Sequence, residues 1–154
     1  MVVLCTGCGK DDAPAASTVD TPASASAAPR DACQLLTADD ARAALGHDVK
    51  KTDPANMTGM AMCQYMADNS ESVTLQFRPA APREIDDYAK QYTDALGGSA
   101  EPVSGIGERA LLVGDQFVFV SKGHIYILML GKNLPAAEKT QRTRTLAAAV
   151  LGRI

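Results

Sequence analysis

Apolar and polar positions along this chain repeat with two periods, and the switches between them mark its elements. Ile85, Tyr88, Ala89, Tyr92 and Leu96 fall at i, i+3, i+4, i+7 and i+11, which is one face of a helix. Asp86, Asp87, Lys90 and Asp94 take the other side, Pro82 precedes the helix and Gly97-Gly98 ends it. An earlier helix runs from Ala38 to Leu45, with Thr37 as N-cap, Asp40 three residues on as a short-armed capping box, and Gly46 as the stop. A third begins near Leu134-Pro135, with Pro in the first turn. Leu146, Ala147, Val150, Leu151 and Ile154 make its buried stripe, which Ala136 and Thr143 extend backwards. Glu138, Gln141, Arg142 and Thr145 form its wet face, Lys139 and Arg144 sit at the stripe's edges, and Arg153 suits the negative end of the dipole.

Between the helices the period drops to two. Arg109 to Val113, Gln116 to Ser121 and His124 to Leu130 are separated by the turn pairs Gly114-Asp115 and Lys122-Gly123, which predicts a three-stranded antiparallel meander. Ile125 to Leu130 is apolar on both faces, so that strand is central or covered on both sides. A second pair, Met60 to Ala67 and Ser72 to Arg78, closes around residues 68–71, and a short strand is expected near Val49. The predicted class is α+β: an antiparallel sheet of about five to six strands with three helices packed on it, in the order helix, two or three strands, helix, three strands, helix. Two helix-plus-strands halves suggest a pseudo-repeat, although no residue-level similarity links them.

Composition leaves the first 30 residues outside this fold. Ala13 to Pro29 is 17 residues, of which 15 are Ala, Ser, Thr or Pro, a content that cannot offset ordering entropy. We therefore expect a disordered tether over residues 9–30 and a single domain over 31–154. As a flexible coil the tether spans roughly 25 Å, and at most about 75 Å extended. Ahead of it stands Met1-Val2-Val3-Leu4-Cys5-Thr6-Gly7-Cys8, a short apolar run, small residues, then cysteine. Thr6, Gly7 and Cys8 fit the end of a bacterial lipoprotein signal, with Cys8 the lipidated residue and Cys5 standing where Leu is usual. A full secretory signal has a positive start and a longer apolar stretch. Upstream coding sequence with Lys or Arg and about ten more apolar residues is therefore expected. Cys5 and Cys8 also spell C-x-x-C, which fits a redox or zinc pair. The next residues, though, are Gly9-Lys10-Asp11-Asp12 and the tether, with neither a helix to lower a thiol pKa nor a second ligand pair.

An exported domain should oxidise Cys33 to Cys63, because disulfides persist outside the cytoplasm. The alternative, a reactive thiol, has no neighbouring base or cationic cluster in the sequence. The net charge of −3 and the absence of a basic stripe argue against nucleic acid as a partner. Hydrophobic content is 46%, enough for a core, but with no Trp and 5% aromatics Ala, Leu, Val and Met must fill it.

Asp31-Ala32-Cys33-Gln34-Leu35-Leu36-Thr37, Ala44-Leu45-Gly46, Cys63-Gln64-Tyr65 and Gly105-Ile106-Gly107-Glu108-Arg109-Ala110 occur in this order. Over about residues 31 to 153 the chain resembles a group of small bacterial envelope lipoproteins of unknown function with a Cys-x-Leu-Leu-Thr opening. The resemblance implies export, lipid anchoring, the Cys33–Cys63 disulfide and an α+β domain, and it supplies no catalytic residues. Gly105 and Gly107 read as turn geometry before a strand.

The sequence carries little recognisable catalytic chemistry. There is no S-x-x-K, G-x-S-x-G, H-E-x-x-H or P-loop. His47 follows a helix stop and His124 sits beside a hairpin turn, so both read as exposed turn residues. Glu84, Asp86 and Asp87 at a helix start suit the dipole. Met57, Met60, Met62 and Met66 cluster, with the last three on one strand face. Methionine commonly fills core gaps, and that is the expectation here; soft thioethers also suit Cu(I), which gives a low-ranking alternative site at Met60, Met62 and Met66. No other metal and no cofactor is expected. The sequence thus points to an envelope lipoprotein on a lipid anchor, its domain facing the periplasm or exterior, with the outer membrane favoured. Its role would be a non-catalytic binding or scaffold module for an envelope protein or an apolar ligand. The alternative is a periplasmic copper-binding protein. A small enzyme ranks third and would need a pocket holding His47 or His124 beside a carboxylate.

Overall fold

The computed structural model describes residues 31–154; the signal segment with Cys5 and Cys8 and the tether of residues 9–30 lie outside the described residues. The class is α+β, with four helices and one seven-stranded antiparallel open sheet among the described residues. The elements in chain order are α1 (Ala32–Leu35), α2 (Ala38–Leu45), β1 (Lys51–Met57), β2 (Met60–Met66), β3 (Ser72–Pro79), α3 (Glu84–Leu96), β4 (Ala100–Val103), β5 (Arg109–Val113), β6 (Gln116–Ser121), β7 (His124–Gly131) and α4 (Ala136–Leu151). The sheet order is β1-β2-β3-β7-β6-β5-β4, two meanders joined through their last strands.

Local chemistry accounts for the boundaries. Thr37 and Asp40 form the capping box of α2, and Gly46 closes it at φ 72°. Gly97 ends α3 at φ 65°. Lys122 and Gly123 both take positive φ, 48° and 72°, the backbone of a tight hairpin between β6 and β7. Gly107 takes φ 58°, and a Cβ there would collide with the Val120 carbonyl oxygen, so the turn into β5 requires glycine.

Several expectations change. Strands number seven rather than five or six, and helices four rather than three. α1 is a single turn, too short to show periodicity, and its cap is the Asp31 carboxylate accepting from the Cys33 N–H at 2.9 Å. The strand expected near Val49 is β1, beginning at Lys51, and β4 has no counterpart in the predicted order. Pro135 is the N-cap of α4 rather than a first-turn residue. Ala136 is exposed, so the buried stripe runs only from Thr143 to Val150, with Leu151 and Ile154 half-buried beyond it. The pseudo-repeat fails because α2 packs against β3 on one face while α3 packs on the other.

The main core lies between the sheet and α1, α2 and α4. Phe77, Tyr126 and Phe119 stand directly across β3, β7 and β6 in register, with stacked ring centroids 5.5 and 4.9 Å apart. Leu35, Leu36, Leu45, Leu146, Ala147 and Val150 close over that face. A smaller core under α3 holds Ile85 and Ala89 against Leu111, Val113, Val118, Ile125 and Ile127. β7 is the fourth of seven strands and buried on both faces, as its continuous apolar run requires.

The start of α2 and the residues that follow α4 meet at Asp40. Its carboxylate accepts from the Thr37 N–H (2.9 Å), from the Thr37 hydroxyl (2.8 Å) and from both guanidinium nitrogens of Arg153 (2.7 and 3.1 Å). Burial pushes this carboxyl up, but the hydrogen bonds from Arg153 and Thr37 outweigh it and hold the pKa below its ordinary value. Asp40→Asn is expected to lower stability by about 1–2 kcal/mol at pH 7. A carboxyl whose pKa is depressed by folding contributes above its unfolded value and loses that contribution as pH falls through the folded one. Urea unfolding should therefore show a constant gap between the two proteins near neutrality that closes below about pH 4. A gap that persists at pH 2 would contradict the assignment.

Candidate functional site

A seven-stranded sheet is about 29 Å wide, and a helix is about 10 Å across. Three helical elements cover one face. Among the described residues the other has only α3, which packs on β5 and β6. The half of that face carried by β1, β2 and β3 is left open, and it is the candidate site.

Strand alternation decides what the open face presents. On β2 the buried positions are Ala61, Cys63 and Tyr65, so Met60, Met62, Gln64 and Met66 point the other way, and each is half-buried. Register places Ala55 opposite Met62 and Met57 opposite Met60 on β1. On β3 it places Thr74 opposite Gln64 and Gln76 opposite Met62. Met129 of β7 lies opposite Thr74 and joins this patch to the small core under α3. Met57 is 63% exposed, one of two large hydrophobic side chains left so open among the described residues. Thr74 is buried beneath its larger neighbours, and Gln76 Nε2 donates to Met62 Sδ at 3.5 Å. The expectation that Met57, Met60, Met62 and Met66 fill the core is thus overturned: the core face of β2 takes Ala, Cys and Tyr, and the methionines line the other side.

The central band of this face is uncharged. Its charges sit at the margins and are paired, Lys51 with Asp53 (2.6 Å) and Arg78 with Glu84. The band is apolar to weakly polar and bounded by ion pairs. Met129 was the member missed by sequence reasoning, and alternation from Ile125 and Ile127 along β7 could have placed it there.

Cys33 and Cys63 are joined by a disulfide, with their Cα atoms 5.1 Å apart, which ties α1 to β2 on the core face. Tyr65 reinforces the junction, its hydroxyl donating to the Leu36 carbonyl at 2.6 Å. Cys63 is fully buried, so this pair offers no accessible thiol.

The histidines are separated. His47 is exposed, 3.7 Å from the Glu71 carboxylate. His124 is half-buried rather than exposed, its ring edge-on to Phe77 at 5.9 Å. It lines a cleft of about 350 Å³ at one end of the sheet, together with Asp31, Asn56, Met57, Met60, Ala61 and Phe77. That brings a histidine and a carboxylate into one cleft, but both groups have structural engagements. Asp31 caps α1, and His124 Nδ1 lies 3.0 Å from the Lys122 carbonyl oxygen. The cleft lining contains no Ser, Thr, Cys or Lys that could serve as nucleophile. Glu84, Asp86 and Asp87 do occupy the first turn of α3; Glu84 also accepts from the Ala81 N–H at 2.7 Å, and Asp86 pairs with Arg109.

Among the described residues no group of three or more His, Cys, Asp or Glu could hold a metal ion, and no helix is long and apolar enough to cross a membrane. No protein-family model, no curated protein and no solved structure matches this chain.

Proposed function

We propose that this protein is a lipid-anchored module of the bacterial cell envelope that binds a protein or apolar partner non-catalytically through the open face of β1, β2 and β3. The observation that carries the reading is the half-covered sheet, whose uncovered half presents Met57, Met60, Met62 and Met66 around neutral Gln64 and Gln76. Unbranched thioether side chains re-pack against varied apolar shapes, which makes methionine common on binding surfaces. Anchoring through Cys8 would hold this face near a membrane on a tether of residues 9–30, and a diacylated cysteine would keep it there.

Site-specific photo-crosslinking in intact envelopes tests both halves of the reading. A diazirine amino acid at Met62 should give discrete adducts, while one at Gln141, on the exposed side of α4, should not. Cys8→Ala should move the protein from the membrane to the soluble fraction. Equal adduct formation at Met62 and Gln141 would remove the open face as the binding surface, and an unchanged membrane fraction would remove the anchor.

A further inference from the structure

We propose that Met57, Met60 and Met62 form a thioether site for one soft monovalent cation, Cu(I), at the β1–β2 hairpin end of the open face. The inference is independent of the partner and of the anchor. Its basis is the register. A two-residue turn, Thr58-Gly59, closes the hairpin with Gly59 at φ 79°, which sets Met57 directly opposite Met60. Directly opposed side chains have their Cβ atoms about 4.5–5.5 Å apart, and residues two apart on one strand lie about 6.6 Å apart on the same face. Met62 is therefore the third corner of a small triangle. Each sulfur stands two bonds beyond its Cβ on an unbranched arm, so three sulfurs can turn inward to one point.

The surroundings favour that convergence. Ala55 faces Met62 across the strand pair, and its methyl leaves room where a larger side chain would fill the triangle. The amide of Gln76 already touches Met62 Sδ from the β3 side. Met57 is open to solvent, so an ion can enter without unfolding anything.

The donor set selects the ion. Three neutral thioethers hold a soft monovalent cation without leaving a net negative site, whereas hard divalent ions need oxygen or imidazole donors. No cluster of such donors exists among the described residues. The geometry also redraws the set read from the sequence. Met66 lies four residues past Met62, about 13 Å along the strand. It faces Lys51 and Ser72 instead. His124 lines the same cleft as Met57 and Met60, but its ring packs edge-on against Phe77, which pairs with Ala61 on the core face, and its Nδ1 lies against the Lys122 carbonyl, so it is left outside the three-sulfur set.

The test uses the full chain with Cys5→Ser and Cys8→Ser, so that thiols do not compete, and with the disulfide intact. Cu(I) is supplied anaerobically as its labile tetrakis(acetonitrile) complex, with ascorbate present to hold it reduced. One Cu(I) per chain should bind more tightly than micromolar. Met57→Leu, Met60→Leu and Met62→Leu should each weaken binding at least tenfold with unchanged circular dichroism. Met66→Leu and His124→Gln should bind as the parent does. Ag(I), titrated without reductant, should give the same order. Absence of binding tighter than micromolar overturns the proposal, as does a loss with Met66→Leu or His124→Gln equal to that with Met62→Leu.

Discussion

Replacing Cys33 and Cys63 together by Ala is expected to lower the unfolding free energy by about 3–4 kcal/mol. The two residues are 30 apart in sequence, and closing a loop of that length removes about 3.7 kcal/mol of denatured-state entropy. The bridge matters more here than its loop length implies. α1 has four residues, below the length at which a helix supports itself, and it is pinned by the disulfide, the Asp31 cap and the Tyr65 hydroxyl. Losing the disulfide should therefore also raise hydrogen exchange at Leu36, whose N–H is bonded to the Ala32 carbonyl. Guanidinium unfolding of the oxidised and double-Ala proteins measures the first effect, and exchange mass spectrometry over residues 32–36 the second. A loss below about 1 kcal/mol with unchanged exchange would mean that packing alone holds α1 in place. Against a total stability of about 5–15 kcal/mol, the expected loss decides whether the domain survives a reducing compartment.

How far the sequence reveals this fold depends on how each element gains its stability. α2, α3 and the strands β5, β6 and β7 are legible because local chemistry and burial agree. A capping box, a left-handed glycine and a strict period each point to the observed boundary. β1 and β4 are the outermost strands of the sheet, and each carries a proline, Pro54 and Pro102. An edge strand bonds along one side only, so it tolerates proline and polar residues, and the pattern that identifies a strand fades. β1 is held by its full register with β2, which no local signal encodes. The methionines fail as a core signal for a related reason. Alternation correctly puts Met60, Met62 and Met66 on one face of β2. Which face is buried depends on where α1 and α3 pack, and that is tertiary information. A lower aromatic content suggested methionine as filler, but all three Phe residues and Tyr126 already concentrate in the main core.

Phe119→Ala is expected to cost about 3–5 kcal/mol, whereas Met62→Leu should change stability by less than about 1 kcal/mol. Both residues lie on interior strands of the same sheet, so the contrast tests which face holds the fold. Phe119 is fully buried, stacked on Tyr126 and edge-on to Phe117 at 6.4 Å, with Ala110 opposite it on β5. Removing the ring opens a cavity bounded by Tyr126 and Phe117 on strands fixed by their ladders, so little can collapse into the space. Met62 loses one hydrogen bond from Gln76 and keeps its volume as Leu. Unfolding curves of the two variants under one denaturant give the comparison directly. If Met62→Leu proved as costly as Phe119→Ala, the open face would belong to the core, and its methionines would serve packing rather than recognition. If the contrast holds, the domain rests on one face of its sheet, and the half-covered face can exchange partners or bind an ion with little effect on the fold.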